Sequence, residues 1–201
     1  MSAFGLGSGA DSDFYEGRDK KDALLHLCAA NGIKDEDLQK PETITHIEMV
    51  LDDYDCMRTL GTFPKLKSVC LIQQAIKRIE GVDRCPELDR LLLNENLISK
   101  VENLGQCRKL KKLFLSNNCI KELGQGLDGL NQLEVFWIAD NQLESLDGIC
   151  AAPNLTELNA ASNKLSTVIG AFDGTCKLKK FNLAGNRICS FREVLDLARL
   201  R

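Results

Sequence analysis

Histidine is scarce in this chain, and the motifs of the common catalytic centres are missing from it. The 201 residues include only two histidines, His26 and His46. No Gly-x-Ser-x-Gly, His-Glu-x-x-His or phosphate-binding P-loop pattern occurs, although hydrolytic and phosphoryl-transfer sites are usually built on such motifs. The sequence therefore predicts a protein that is not an enzyme, and we expect no cofactor and no metal.

A strong net charge and long apolar runs are also missing. The 26 basic and 29 acidic residues leave a net charge of -3, so no strong field favours nucleic acid or an anionic membrane. No apolar run approaches the roughly 18 residues that a membrane span needs, and the first residues lack the regions of a secretory signal peptide. We expect a cytoplasmic protein without a membrane or nucleic-acid partner and with an oligomeric state that the sequence leaves open.

Cysteine, in contrast, is abundant, with nine residues in the chain. The number is odd and no Cys-x-x-Cys pair occurs, so neither a disulfide framework nor a zinc site is indicated. A free cysteine packs as a small hydrophobic residue. We therefore predict that most of the cysteines are reduced core residues, as expected in a reducing compartment.

The dominant pattern is a frame that reads Leu-x-x-Leu-x-Leu-x-x-Asn-x-Leu in its idealised form and returns every 22 or 23 residues. Its seven copies begin at Ile44, Leu66, Leu88, Leu110, Leu133, Leu155 and Leu178. A period of this length is the signature of a solenoid. Because side chains alternate along a strand, frame positions four and six are expected to enter the core while position five faces out.

Asparagine recurs at frame position nine, where the chain turns after each predicted strand. The residues at this position are Asp52, Gln74, Asn96, Asn118, Asn141, Asn163 and Asn186. We predict that each asparagine amide hydrogen-bonds backbone groups of neighbouring turns. The first two turns, where aspartate and glutamine replace asparagine, are expected to be less regular.

Composition and periodicity divide the chain into three regions. Residues 1–19 are rich in Gly, Ser and Asp and are expected to form a flexible tail. Residues 20–43 show helical spacing at Leu24, Leu27 and Cys28, which predicts a helical N-terminal cap. Residues 44–201 form the array of about seven repeats. The predicted fold is an α/β solenoid with a short parallel concave sheet and with loops and short helical turns on the convex side.

One stretch, Gly124 to Gly129, matches the Gly-x-Gly-x-x-Gly pattern of dinucleotide-binding proteins. That site requires a strand directly before the glycines and a helix that opens on the last of them. Here the glycines lie between Leu123 and Leu130, on the convex side of a repeat. We therefore expect no nucleotide at this position.

Apolar residues occupy frame position five in the middle of the array, where side chains are expected to face solvent. The successive residues are Glu48, Cys70, Leu92, Phe114, Trp137, Asn159 and Asn182. Because neighbouring strands lie about 4.8 Å apart, the residues from Cys70 to Trp137 form a contiguous stripe that indicates a protein interface, with Trp137 as the natural hot spot. The predicted partner-binding set is Cys70, Leu92, Phe114, Trp137, Glu134, Asp140, Glu157 and Asn159. Two alternatives stay open: a segment of the same chain covers the stripe, or the stripe binds nothing.

The repeats resemble a known family. The segments CRKLKKLFLSNNCIKEL and LEVFWIADNQLESLDGI are similar to the 22-residue leucine-rich repeat subclass, which includes the regulatory subunit of protein phosphatase one, an axonemal dynein light chain and the spliceosomal U2 A-prime protein. The segments LLHLCAANGIKDEDL, LGTFPKLKSVCLIQQAIKRIEGVDRCPEL and FNLAGNRICSF resemble, in the same order, the N-terminal region of the leucine-rich repeat-containing protein nine family.

These resemblances imply an intracellular interaction scaffold with a link to cilia or flagella. The main hypothesis is a protein that binds one protein partner through the concave stripe, in a cilium or a cytoskeletal assembly. The alternative is a regulatory subunit of a protein phosphatase: acidic residues near Trp137 favour it, whereas Lys111, Lys112, Lys179 and Lys180 interrupt the same face. A weaker third hypothesis is assembly of an RNA–protein complex, as in the spliceosomal relative.

Overall fold

Apolar residues at frame positions four and six build seven short parallel strands. The computed structural model describes residues 18–52, 54–172, 177–190 and 192, so residues 1–17 of the predicted tail lie outside it. The strands are β1 (His46–Val50), β2 (Ser68–Ile72), β3 (Arg90–Leu92), β4 (Lys112–Phe114), β5 (Val135–Trp137), β6 (Glu157–Asn159) and β7 (Lys180–Asn182). They form one sheet in chain order, which confirms the predicted solenoid.

Neighbouring strands pair so that residues at the same frame position lie side by side. Val69 of β2 pairs with Ile47 of β1 and with Leu91 of β3, and the same register continues to β7. Each turn of the solenoid therefore repeats the previous one with a shift of one strand spacing. As a result, residues with the same frame position form columns that run along the solenoid axis.

The core consists of the columns that point away from the concave face. At frame position four, Ile47, Val69, Leu91, Leu113, Phe136 and Leu158 are at most 2% exposed, whereas Phe181 is 42% exposed. Phe181 differs because β7 is the last strand of the described chain and pairs with β6 alone. The other columns bury residues such as Leu93 and Leu115 completely.

Short 3-10 turns and loops form the convex side. The 3-10 segments of the array are Met57–Thr62, Val82–Arg84 and Ile149–Ala151, and each of them contributes buried apolar side chains to the core. Cys85 and Cys107 lie in the convex part of the core and are completely buried. No helix in the described part of the chain is long and apolar enough to cross a membrane.

The prediction that most cysteines are core residues is wrong. Of the described cysteines, Cys28, Cys85 and Cys107 are buried, Cys56, Cys70 and Cys119 are half-buried, and Cys150 and Cys189 are exposed. Cys70 lies at frame position five, on the concave side of its strand. Cys119 stands between the buried Asn118 and Ile120, at a position whose side chain points outward.

Helix α1 (Arg18–Ala30) packs against the first turn of the array. It begins two residues before the predicted boundary of the cap and is followed by 3-10 turns at Asp37–Gln39 and Pro41–Thr43. Its residues Leu27 and Cys28 are buried. Beyond its last turn, Asn31 accepts a hydrogen bond on Oδ1 from the backbone N–H of Glu48 at 2.8 Å. This bond ties the end of α1 to the outer edge of β1.

The asparagine column forms a ladder of hydrogen bonds between turns, as predicted. Asn118 Nδ2 lies 2.9 Å from the carbonyl oxygen of Leu93 in the preceding turn and 3.0 Å from that of Leu115 in its own. Its Oδ1 accepts a hydrogen bond from the N–H of Ile98 at 2.9 Å. The same pattern recurs at Asn96, Asn141, Asn163 and Asn186.

The two substituted positions of this column behave differently from the asparagines. Gln74 accepts a hydrogen bond on Oε1 from the N–H of Tyr54 at 3.3 Å and donates one from Nε2 to the Ile72 carbonyl at 2.8 Å. Asp52 instead lies with Oδ2 3.1 Å from His26 Nε2 on α1. The first turn therefore uses this position to contact the cap helix.

Candidate functional site

The predicted stripe exists as a row of side chains across the middle of the concave face. Cys70, Leu92, Phe114 and Trp137 occupy adjacent places on β2, β3, β4 and β5, and we call these four residues the concave stripe. The first three are half-buried, whereas Trp137 is 38% exposed. The largest side chain of the stripe is thus also its most accessible one.

The two aromatic rings of the stripe hold each other in place. The ring centroids of Phe114 and Trp137 are 5.0 Å apart and the ring planes make an angle of 87°. This edge-to-face arrangement is favoured because the positive edge of one ring meets the negative face of the other. The indole of Trp137 is therefore oriented before any partner binds.

A hydrogen bond fixes the polar end of the same indole. Trp137 Nε1 donates to Glu157 Oε1 at 3.0 Å, and Glu157 is half-buried at frame position three of β6. Its other carboxylate oxygen lies 3.8 Å from Lys180 Nζ. Because the indole N–H and the carboxylate are already paired, Trp137 offers mainly its apolar surface to a partner.

The structure brings only one of the three predicted acidic residues to Trp137. Glu157 contacts the indole, but Glu134 precedes β5 and Asp140 follows it, so these two exposed residues lie at opposite rims of the concave face. Asn159 is in register with Trp137, and its Oδ1 accepts a hydrogen bond from the N–H of Ala161 at 3.3 Å. The side chain of Asn159 thus also shapes its own turn.

A column of left-handed residues at frame position eight was not predicted. It consists of Leu51, Gln73, Glu95, Asn117, Asp140, Ser162 and Gly185, whose φ angles lie between 53° and 70°. In the six turns from Leu51 to Ser162 the backbone N–H of this residue donates to a carbonyl of the following turn, for example from Leu51 to Ile72 at 3.2 Å. Asn, Asp and Gly favour this conformation, but the residue types at this position are so mixed that the sequence shows no pattern there.

Leu51 differs from the rest of this column because it is apolar. Its side chain is 73% exposed and its φ is 59°, in a region that costs an L-residue other than Gly roughly 1–2 kcal/mol. The other members of the column are polar residues or glycine. The fold gives every turn a left-handed residue here, but it does not require an exposed leucine.

Two further apolar residues on the concave face were also missed. Val50 on β1 pairs with Ile72 on β2 at frame position seven; Val50 is 47% exposed and Ile72 is half-buried. The alternating burial of β1, with His46, Glu48 and Val50 all exposed, places Val50 on the concave side. The signal that could have found them is that both are apolar at a frame position that the alternation along the strand turns outward.

Charged residues of opposite sign lie on the two sides of the concave stripe. Arg90 and Lys112 pair with each other at frame position three, where the chain enters the strands, and both are exposed. Glu95 and Asp140 are exposed at the opposite rim, where the chain leaves the strands. The entry side is therefore basic beside β3 and β4, whereas Glu134 and Glu157 make it acidic beside Trp137; the exit side carries the acidic Glu95 and Asp140.

Cys70 acts as an apolar member of the stripe. Burial raises the pKa of its thiol above the usual range, and the nearby carboxylate of Glu48 raises it further. Both effects disfavour the thiolate. Cys70 is therefore neutral at neutral pH and contributes a small hydrophobic surface between Glu48 and Leu92.

The glycines of the Gly-x-Gly-x-x-Gly stretch have a packing role. A Cβ at Gly126 would lie 2.3 Å from the carbonyl oxygen of Val101 in the preceding turn, and one at Gly129 would lie 3.0 Å from that of Gly105. Only residues without a side chain allow the turns to approach so closely here. Among the described residues, no three His, Cys, Asp or Glu side chains cluster so that they could hold a metal ion.

Comparisons with known proteins agree with this geometry. Residues 108–151 match the family model "Leucine Rich repeats (2 copies)". The alpha subunit of geranylgeranyl transferase type-2 is 34% identical over 79 residues in Homo sapiens and 36% identical over 72 residues in Mus musculus. These matches cover 38% and 35% of this chain but only 14% and 13% of the relatives.

Among solved structures, an internalin from Listeria monocytogenes is similar over 91% of this chain and 60% of its own, with a TM-score of 0.64 and 15% identity. At this identity the likeness concerns the fold alone. The matched family model describes repeats rather than an enzyme domain.

Proposed function

The chain folds as a leucine-rich repeat solenoid, and on that premise we propose that it is a non-enzymatic scaffold that binds a protein partner on its concave face. The observation that carries the proposal is the state of Trp137. Its ring is 38% exposed, yet it is held by Phe114 and by the hydrogen bond to Glu157. An accessible aromatic side chain that is already oriented is typical of a binding hot spot.

The surroundings of Trp137 have the composition of a protein interface. Interfaces combine an apolar centre with a polar rim, and they are enriched in aromatic residues and arginine. Here the concave stripe supplies the centre, while exposed residues such as Arg90, Lys112 and Asp140 supply the rim. Because the stripe is half-buried by its own neighbours, its side chains lose little conformational entropy when a partner binds.

The resemblance to the dynein light chain and to the protein nine family extends the proposal to a ciliary or cytoskeletal assembly. In such an assembly a curved repeat surface holds one component against another, and no catalytic group is needed. The proposed partner is therefore a structural protein of that assembly. No nucleic-acid or membrane partner is proposed.

Regulation of a protein phosphatase catalytic subunit is the second candidate. It is supported by the position of Glu157, whose carboxylate lies directly beside the exposed indole of Trp137. Lys180 partly offsets this negative charge, and Glu134 and Asp140 lie apart from it at opposite rims. An acidic cluster at Trp137 is therefore smaller than the sequence suggested, which places this candidate second.

The proposal is tested by recovering proteins from the native cell type with the tagged chain and with its Phe114→Ala/Trp137→Ala variant. We expect a defined partner to be lost from the variant, and with the purified partner the single change Trp137→Ala should cost about 2 kcal/mol or more of binding free energy. Recovery of an active phosphatase catalytic subunit that also depends on Trp137 would favour the second candidate.

Leu97→Ala is the matched control because Leu97 is 48% exposed but lies outside the strands of the concave face. Its recovered proteins should equal those of the wild type. Urea unfolding of each variant shows whether the fold is retained. If wild type and double variant recover the same proteins with equal yield, the concave stripe is not the binding site.

A further inference from the structure

The accessible apolar surface of the concave face does not follow one straight column. Besides the small Cys70 at position five of β2, five larger apolar residues provide it: Val50 and Ile72 at frame position seven of β1 and β2, and Leu92, Phe114 and Trp137 at position five of β3, β4 and β5. On β6 and β7 position five carries asparagine. We call the five apolar residues the oblique path, because they cross the strands at an angle.

A partner cannot join this face as an additional strand. The strands from β2 to β6 have a neighbour on both sides, so their backbone N–H and C=O groups are used within the sheet. Recognition by strand addition needs an open edge. A partner on the oblique path must therefore contact side chains, and the spacing of those side chains selects its conformation.

That spacing fits an α-helix better than an extended chain. Neighbouring strands lie about 4.8 Å apart, a helix has a pitch of about 5.4 Å, and an extended chain places side chains on one face about 6.8 Å apart. Over the three intervals between β2 and β5 the mismatch is about 2 Å for a helix and about 6 Å for an extended chain. One helical turn can thus meet each strand.

The charges beside the path define the two edges of such a helix. Arg90 and Lys112 lie on the side where the chain enters the strands, and Glu95 and Asp140 lie at the rim where it leaves them. Frame positions three and eight are five residues apart along the chain, or roughly 16 Å when extended. A helix with its side chains is about 10–12 Å wide and fits between the two sides.

Leu51 provides an independent indication that the path begins in the first turn. It follows Val50 directly, is 73% exposed and has a left-handed backbone with φ of 59°. The left-handed backbone is shared by all seven turns at this frame position, so what sets Leu51 apart is its exposed apolar side chain. An apolar partner that covers Leu51 and Val50 would account for a leucine where the other turns carry polar residues or glycine.

We propose that the concave face binds an amphipathic α-helix of a partner protein, which lies along the oblique path from Val50 and Ile72 to Trp137. The helix carries apolar residues on one face, acidic residues on the edge beside Arg90 and Lys112, and basic residues on the edge beside Glu95 and Asp140. This inference rests on the proposed function, because it assigns the chemistry of the partner at the same face.

The test starts from two phage-displayed libraries of peptides of about 14 residues, a length of roughly four helical turns. In one library the apolar residues recur at helical spacing, and in the other they alternate; all other positions are randomised. The full-length chain is the target, and Trp137→Ala is used for counter-selection. We expect enriched clones from the helical library, with acidic residues on one edge and basic residues on the other.

The charges are tested with a synthetic peptide of the best clone. Because Trp137 is the only tryptophan and the peptides are made without tryptophan, its emission reports binding directly. The variant Arg90→Glu/Lys112→Glu should bind the peptide at least tenfold more weakly, and a peptide whose acidic edge is changed to lysine should restore the affinity. The peptide should also gain helical circular dichroism when it binds.

The path is tested with apolar-to-polar substitutions at its far end. Val50→Thr/Ile72→Thr and Leu51→Asn should each weaken binding severalfold, whereas Asn182→Ser, at frame position five of β7 and two strands beyond Trp137, should leave it unchanged. Leu51→Asn should at the same time raise the melting temperature. If Leu51 had a purely structural role, Leu51→Asn would not lower the affinity while it raised the stability.

Three results would overturn the inference: enrichment of alternating clones alone, no enrichment from either library, or helical clones that bind the charge and path variants as they bind the wild type. The first result would leave the proposed function intact, since those clones would still need Trp137. The proposed function fails by a different result, when recovery of the native partner is unaffected by Phe114→Ala/Trp137→Ala.

Discussion

At the scale of single residues, the asparagine ladder is the feature on which the stability of each turn depends most directly. Asn118→Ala should lower the free energy of unfolding by about 3 kcal/mol or more, because it leaves the N–H of Ile98 and the carbonyl of Leu93 buried without their amide partner. Urea unfolding followed by circular dichroism measures the change.

Asn186 provides the matched control for this substitution. It makes the same type of bonds, to Leu165 and Ala160, but it is half-buried and water can replace part of them. Asn186→Ala should therefore cost less than half as much as Asn118→Ala. Equal losses at the two sites would show that burial does not determine the contribution of the amide.

Leu51 should limit the stability of the isolated chain. Leu51→Asn places a residue that tolerates the left-handed region at φ of 59° and removes an exposed apolar side chain, so we expect a gain of about 1 kcal/mol. The reciprocal change Asn117→Leu, at φ of 56°, should cost a similar amount. Thermal unfolding of both variants measures the effect, and changes of the same sign at the two sites would contradict it.

The buried thiols should make stability decrease in alkaline solution. Burial raises the pKa of Cys85 from 9.0 to about 11 and that of Cys107 from 9.0 to about 12. Above pH 9 the unfolded chain loses these protons while the folded chain keeps them, so unfolding is favoured as the pH rises toward 11 and 12. Below pH 9 the contribution of these thiols is fully present.

Urea midpoints measured under reducing conditions at pH 8, 9.5 and 10.5 test this expectation. The double variant Cys85→Ala/Cys107→Ala should be less stable at pH 8 because its core is less well filled, but its midpoint should fall less between pH 8 and 10.5. A fall as large as that of the wild type would show that other groups cause the alkaline loss.

The columns of buried residues and the asparagine ladder were predictable from the sequence because each depends on one residue type at one frame position. Leu91 and Asn118 are examples: their roles follow from the period alone. The left-handed column was not predictable, since its conformation follows from a backbone bond to the next turn and accepts residues as different as Leu51 and Asp140. The Trp137–Glu157 hydrogen bond also depends on how side chains of two turns meet.

At the scale of elements, the strands depend on their neighbours and the cap helix protects the first of them. β3 to β7 have only three residues each, too few to persist alone. β1 has a sheet neighbour on one side only, and Asn31 occupies part of its other edge through the bond to Glu48. The cap therefore satisfies one backbone N–H on the open edge of β1, which a neighbouring strand would otherwise satisfy.

Leu27 is the main apolar anchor of α1, with no exposed surface. Leu27→Ala should lower the free energy of unfolding by about 2–5 kcal/mol and should increase hydrogen exchange at the backbone amide of Glu48. Leu25→Ala is the control, because Leu25 lies on the same helix and is 49% exposed. Exchange at Glu48 that is unchanged by Leu27→Ala would show that α1 does not protect β1.

The helical spacing of Leu24, Leu27 and Cys28 allowed the helix to be predicted before its contacts were known. Its contacts were not predictable, because they depend on where the helix docks. The hydrogen bond between His26 and Asp52, with Nε2 and Oδ2 3.1 Å apart, joins two residues that belong to different patterns in the sequence. Nothing in the periodicity of either pattern connects them.

At the scale of the whole molecule, stability follows from contacts between consecutive turns. The ladder bonds join residues 20 to 26 positions apart, as between Ile98 and Asn118 or Leu115 and Asn141. Adjacent strands are the elements in contact throughout the sheet. Such a chain approximates a one-dimensional array, in which a substitution weakens its own turn and the two interfaces beside it.

This order of contacts also determines how the solenoid would respond to a mechanical load. The bonds between turns run parallel to the solenoid axis, so a force along that axis pulls on each interface in series, and the weakest one yields first. Each released turn adds about 22 residues of free chain, roughly 70–80 Å when extended. The molecule would therefore lengthen in steps of nearly constant size, with one step for each turn that is released.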